Sequence, residues 1–438
     1  MAIDYKSTGD LLAVSTLAQT VLDTPATIDK LLRLSADSAI NVKTTREGNQ
    51  GEKTGQVEAT DIDVLDQSAE GTIKQDKATP DGIAWMAAFA LGSHAMTTPY
   101  SGVRRHTSVL SAYPTEPFYF TGAHRKGGAS TAAAAEFLRH MNLGLTSFQM
   151  ALAKEAFLKT EAGVLGTGDS SSAIKTETIT ALNNATSLTL AFDPVGDAFA
   201  NVTVWADQNG DGQFETQVFP TAYNAGTNAL TITGLAGDGL SSIPYRCSYH
   251  VKNSETGYTW SDLSALVVEP EFLLKASNLQ VFLAGKYAEP GSVPTFTGGQ
   301  QALCDLESLT WKLDWNAKVG RCWRTGNTED PTATSIDYGD VVQTIDIDRR
   351  MKDYLLSQNF DANTAFSIYF DAIGPVIAST EKFFVKCWWP KVKLMSKDTK
   401  ITDNRWVEAG SMLVLKDAAF PTVVIQTQNA FLSNYLTA

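Results

Sequence analysis

Apolar and polar positions alternate in short runs along most of this chain, and the period changes at only a few places. In residues 341–358, Ile345 and Ile347 alternate with Thr344, Asp346 and Asp348. That predicts a strand with one apolar and one acidic face. The period then turns helical at Met351, Tyr354, Leu355 and Gln358, with Asp348 placed to cap the first turn. A similar succession occurs near the N-terminus. Residues 71–76 (GTIKQD) read as a strand, and 80–91 (PDGIAWMAAFAL) as a helix opened by proline. Downstream of each, FYFTGA at 118–123 answers FSIYFDA at 366–372. The pattern predicts a duplicated β-rich unit of strand, helix and further strands.

Other segments follow the same logic. Leu309, Trp311, Leu313 and Trp315 alternate with Thr310, Lys312 and Asp314, the cleanest half-buried strand in the chain. Residues 145–152 and 156–164 read as a hairpin. TAAAAEFLRHM at 131–141 has high helix propensity, and 28–34 reads as a short helix or turn. Residues 41–58 and 317–340 are polar and read as long exposed loops; 92–115 reads as connection and 286–301 as a Pro/Gly-rich loop. After a small-residue linker at 167–175 the texture changes. Short strands separated by NNAT, DPVGDA, DQNGDG and YNAGTN predict a small immunoglobulin-like β-sandwich over 174–260. The expected fold is mainly β with short flanking helices: a first lobe at 1–170, the inserted sandwich at 174–260, and a second lobe at 261–438.

Composition narrows the function. With 438 residues, 43% hydrophobic and 19% charged, the chain is globular and large enough for several domains. A formal net charge of −13, with no basic cluster denser than pairs such as Arg104–Arg105, argues against binding nucleic acid or an anionic membrane. Four cysteines with no close spacing read as free thiols in a reducing compartment. The first residues lack a signal-peptide pattern, and the longest apolar run, 83–91, is about half of a membrane span. A soluble protein made in the cytoplasm is expected.

Candidate chemistry is sparse. None of the five histidines lies in a metal-binding pattern, and no GxSxG, phosphate-binding loop or dinucleotide fingerprint occurs. No catalytic site and no cofactor are expected. Asp346 and Asp348 have the residue type of a glycosidase carboxylate pair, yet strand alternation explains them equally. Asp207, Asn209, Asp211 and Glu215 match the spacing of a calcium loop, but Val218 stands where a bidentate glutamate is needed. A tight turn built on Asn-Gly and Asp-Gly is the first reading of that segment, and calcium the second.

With these elements laid out, the chain resembles the tail tube proteins of long-tailed bacteriophages over roughly 11–166 and 270–428. SAEGTIKQDKATPDGIAWMAAFALGS is similar to the family's strand entering a flanking helix, and DLESLTWKLDWN with DYGDVVQTIDIDRRMKDYLL to a second copy. EKFFVKCWWPKVKLM and RWVEAGSMLVLKD resemble the paired strands that finish the lobe. The resemblance implies a virion protein, assembled in the host cytoplasm, whose closed rings stack into a hollow tube for genome delivery. Three doubled chains would then close a ring, or six. Partners would be other copies, other tail proteins, and DNA passing without specific binding. Asp61, Asp63, Asp346 and Asp348 are the expected lumen residues, and the inserted sandwich would decorate the surface. The rivals are a β-sandwich adhesin or carbohydrate-binding surface protein, and a carbohydrate-active enzyme.

Overall fold

The computed structural model describes residues 10–48, 62–110, 113–126, 136–263, 266, 268, 271–302, 305–321, 332–402, 404–431 and 434–436. The chain runs β1 (Leu11–Val14), β2 (Lys30–Leu31), β3 (Ala39–Gly48), β4 (Ile62–Gln75), α1 (Pro80–Leu91), β5 (His94–Tyr100), β6 (Val103–Val109), β7 (Phe120–Lys126), β8 (Glu136–Ala153) and β9 (Lys159–Gly166). Next come β10 (Ser170–Ser172), β11 (Ile174–Leu182), β12 (Ser187–Thr189), β13 (Val202–Ala206), β14 (Thr216–Val218), β15 (Pro220–Asn224), β16 (Ala229–Ile232) and β17 (Ser242–His250). The remainder is β18 (Leu279–Ala288), β19 (Thr295–Gln301), β20 (Leu306–Asp314), β21 (Lys318–Gly320), β22 (Ser335–Asp337), β23 (Val342–Arg350), α2 (Leu355–Asp361), β24 (Phe366–Ala378), β25 (Glu381–Thr402), β26 (Arg405–Val414) and β27 (Val424–Asn429). The protein is mainly β, as its alternating pattern requires, with antiparallel registers throughout its large sheets. It divides into two compact units, one of residues 14–122, 140–169 and 268–438, the other of 1–13, 123–139 and 170–267.

The larger unit is built on an eight-stranded run in the order β3-β4-β9-β8-β20-β23-β26-β25. Its two halves have the same strand order and sense. In each, a helix follows the second strand after four residues. In each, the closing hairpin carries a bulge in its long first strand, between Leu145 and Ser147 in β8 and between Leu394 and Ser396 in β25. A bulge adds one residue to one strand and pins the local register, so it supplies a common origin. From it, Ser147, Gly163, Thr72 and Ala39 stand in one transverse row, and Ser396, Ser411, Asp346 and Thr310 in the other. The join is β8 against β20, from Ser147 opposite Asp314 to Ala153 opposite Ser308.

Strand β25 is long enough to serve two sheets. Its first half pairs with β24 on one edge and β27 on the other, giving the order β19-β18-β24-β25-β27-β6-β5. The core forms where inward faces meet: Trp311 of β20 lies 5.6 Å from Phe148 and 5.8 Å from Trp389 of β25, and Trp389 lies 5.8 Å from Phe370. Such aromatic pairs contribute beyond their buried area. Helix α1 packs on β27 and β6. Every one of its residues is buried, which suits a helix whose small alanines permit close approach. Thr79 caps it by accepting from the Gly82 N–H at 3.1 Å, Pro80 opens it, and Gly92 closes it with φ +73°.

In the smaller unit, β11-β17-β13-β14 form one sheet and β12-β16-β15 another. Their inward residues share one core that includes Leu188, Val204, Leu230, Ile232, Tyr245 and Cys247.

Several expectations need correction. The helix-prone 131–141 is strand β8 from Glu136 onward, while 131–135 lie outside the described residues. Helix propensity is worth tenths of a kcal/mol per residue, and burial of Phe137 and Met141 in a paired strand outweighs it. The short helix or turn at 28–34 contains strand β2 instead. The polar loop 41–58 is strand β3 up to Gly48, because β4 supplies its hydrogen bonds; 49–58 lie outside the described residues. Within 317–340, β21 and β22 pair, and 322–331 lie outside the described residues. The connection 92–115 holds β5 and β6, and the loop 286–301 is largely the β18–β19 hairpin. The linker 167–175 contains β10 and the start of β11. Asp348 does not cap α2. It remains on β23, and the Asp353 Oδ1 accepts from the Leu355 N–H at 2.9 Å.

Candidate functional site

The chemistry of the larger unit concentrates on the outward face of the eight-stranded run. Strand pleating sends Ile345, Ile347, Trp311 and Leu313 into the core and leaves Asp346, Asp348, Thr310 and Lys312 outside. Across this face the charges pair. Lys43 lies 3.6 Å from Glu70, Lys74 lies 3.2 Å from Asp37 and 3.6 Å from Glu161, and Lys159 lies 3.3 Å from Asp76. In the second half, Lys312 lies 2.8 Å from Asp314 and Lys400 3.1 Å from Asp348. The hydrogen bond to Asp37, aided by Glu161, raises the Lys74 pKa. These are exposed pairs, so their worth to stability is small. Their consequence is a surface on which cations and carboxylates alternate.

The residues singled out from sequence fall unevenly on this face. Asp346 and Asp348 do share it, on β23. Asp63 lies on β4 opposite Glu47, near the far end of that strand. Asp61 lies outside the described residues. The lysines that answer the acidic positions were missed. Their signal, Lys-x-Asp at 312–314 for example, is visible in the sequence, but which lysine meets which acid depends on cross-strand register.

In the smaller unit, Asp207, Asp211 and Glu215 bring carboxylate oxygens within 4.8 Å of one another. The loop's own backbone uses the aspartate oxygens. Asp207 Oδ1 accepts from Gly210 N at 2.7 Å and from Asp211 N at 3.2 Å, and its Oδ2 from Gly212 N at 2.9 Å. Asn209 Oδ1 accepts from Asp211 N at 3.0 Å, and Asp211 Oδ1 from Gln213 N at 2.8 Å. With Gly210 and Gly212 both at positive φ, this is a self-satisfied turn of the kind aspartate and asparagine stabilise.

Two buried charge clusters brace the larger unit. At the start of α1, Lys30 pairs with Asp81, whose carboxylate also accepts from the Tyr435 hydroxyl, and the Asp81 N–H donates to Glu271 at 2.9 Å. Burial and the neighbouring Asp81 push the Glu271 carboxyl up to about 8. His106 lies 3.2 Å from His94 and 3.3 Å from Asn429, and burial holds the two imidazoles down at about 4 and about 3. At α2, Arg349 is 1% exposed and donates through Nε to Asp305 at 2.8 Å and through both Nη atoms to Asp353. The guanidinium lowers the Asp353 pKa to about 2. These groups fasten the starts of α1 and α2 to their surroundings.

No protein-family model and no curated protein matches this chain. Among the described residues, no helix is long and apolar enough to cross a membrane.

Proposed function

We propose that this chain is a structural, non-catalytic protein that assembles with copies of itself into rings and tubes, as the resembled tail tube proteins do. In this reading the two halves of the eight-stranded run are two copies of one lobe, and the smaller unit is an immunoglobulin-like decoration. The observation that carries it is the β8·β20 seam, where one half meets the other edge to edge. Among the described residues, no strand pairs with the outer edge of β3, and the β24 pairing leaves β25 beyond Val392. Those are the edges equivalent to β20 and β8. Exposed edges are hazards unless something covers them, and further copies placed as the first seam is placed would cover one edge each. Repeating a heterologous contact closes a ring when the rotation allows it. Three chains would supply six lobes. The paired charges on the outward face suit a lumen, because a surface whose cations are already neutralised offers DNA few phosphate contacts. Such a protein would serve in a virion tail, assembled in the host cytoplasm with other tail proteins.

The seam makes the test specific. Gln149 stands opposite Lys312, and the bulge-defined rows place Asp398 where Gln149 stands and Asn41 where Lys312 stands. Asn41→Cys combined with Asp398→Cys should cross-link chains on mild oxidation, with closed trimers as the end product, and negative-stain electron microscopy should show rings of one diameter. Monomers at every concentration, with no cross-link, would overturn the reading.

A further inference from the structure

The outward face of the β11-β17-β13-β14 sheet has a composition unlike the rest of its unit. Trp205 on β13 is 38% exposed, and its cross-strand neighbours are Arg246 on β17 and Gln217 on β14. Directly opposed side chains on one face of an antiparallel pair are in reach of each other. The Arg246 guanidinium lies over the Phe214 ring, 4.0 Å from its centroid, a cation–π contact at the edge of this patch. Around this centre stand hydroxyls. Thr178 is opposite Arg246, Thr203 is opposite Ser248, and Ser248 lies 3.0 Å from Thr176. The strands alternate strictly, so Glu177, between Thr176 and Thr178, turns inward and accepts from the Tyr249 hydroxyl at 2.8 Å.

We infer that this face binds a neutral polysaccharide, with a sugar ring laid on the Trp205 indole and its hydroxyls met by Arg246, Gln217 and the surrounding threonines. Charge selects the class. Residues 170–267 hold nine carboxylates against three cations. Of those cations, Lys252 is paired with Asp197 and Lys175 lies over Phe192. A polyanion, whether nucleic acid or acidic glycan, needs a track of cations, and this face offers a single cation, Arg246. An apolar protein surface would strand the hydroxyls without partners. A saccharide presents an apolar ring face beside many donors and acceptors, which is what an exposed indole ringed by hydroxyl, amide and guanidinium groups can satisfy. The inference does not depend on the ring-forming reading.

The test is native electrophoresis of the purified full chain through gels containing dextran, yeast mannan, a soluble β-glucan, or heparin. Retardation by at least one neutral polymer is expected. Trp205→Ala should weaken it at least tenfold and Arg246→Ala several-fold, while Trp205→Tyr, which keeps an aromatic face, should stay within a few-fold of the parent. Unchanged unfolding midpoints would show that the variants fold. Retardation by heparin alone, by no polymer, or equally for Trp205→Ala and the parent would overturn the inference.

Discussion

The two halves of the eight-stranded run follow one backbone plan and fill it differently. In the row beside the bulge, the first half places Leu145, Val164, Gly71 and Ile40, and the second Leu394, Met412, Ile345 and Trp311. Gly71 has no room for a side chain, since a Cβ there would sit 2.1 Å from the Ala39 carbonyl oxygen. The helices diverge further. Helix α1 is twelve residues, capped at both ends and wholly buried; α2 is seven residues, with only Leu356 buried and no side-chain cap from Tyr354. The helix that follows the first half's second strand is therefore covered all round, lying against β27 and β6, whereas its counterpart is largely exposed and is held beside one buried arginine. The lesson is that strand order and bulge position can persist while the side chains in equivalent rows, and the helices that follow the second strands, diverge.

Breaking each fastening should expose that difference. The largest effect is expected at Arg349. Arg349→Leu strands Asp305 and Asp353 and should cost about 3–5 kcal/mol, read as a lower urea midpoint with loss of protection in α2. Phe89→Ala, inside α1, should cost about 3–5 kcal/mol by opening a cavity. Phe360→Ala on half-exposed α2 should stay below about 1 kcal/mol. Equal costs in urea titrations would dissolve the contrast between the helices.

Acid and alkali should also separate the surroundings of the two helices. The Glu271 pKa is raised in the folded state to about 8, so its contribution is fully present below the unfolded value of about 4.3 and is lost as pH rises through 8. Glu271→Gln should flatten that alkaline limb in a thermal-midpoint profile. His94 and His106 are depressed, so they support the fold above their unfolded value of about 6.5 and cease to as pH falls through 4 and 3. Asp353 is depressed too, so its contribution is complete above its unfolded value of about 3.9 and is lost as pH falls through about 2. Hydrogen exchange between pH 5 and pH 3.5 should accordingly show β5 and β6 losing protection while the Arg349–Asp353 contact at α2 is largely kept. The smallest contrast concerns caps. Thr79→Ala should cost about 1 kcal/mol and Tyr354→Ala no more than about 0.5 kcal/mol, both measurable by chemical denaturation.

Much of this was legible in the residues. Period-two runs placed β20, β23 and the β8–β9 hairpin, because alternation is a local consequence of pleating. Proline before the apolar run marked the start of α1. The turn residues at 207–215 declared a turn. Three things required the assembled tertiary structure. Residues 41–48 became strand because β4 satisfied their backbone, and 136–141 continue strand β8, a preference stronger than local propensity or polarity. The pairing of Lys400 with Asp348 and Lys74 with Glu161 rests on register, which no single strand encodes. And the seam of β8 on β20 joins residues more than a hundred and fifty positions apart, a contact decided by how two separately patterned halves pack, not by either pattern alone.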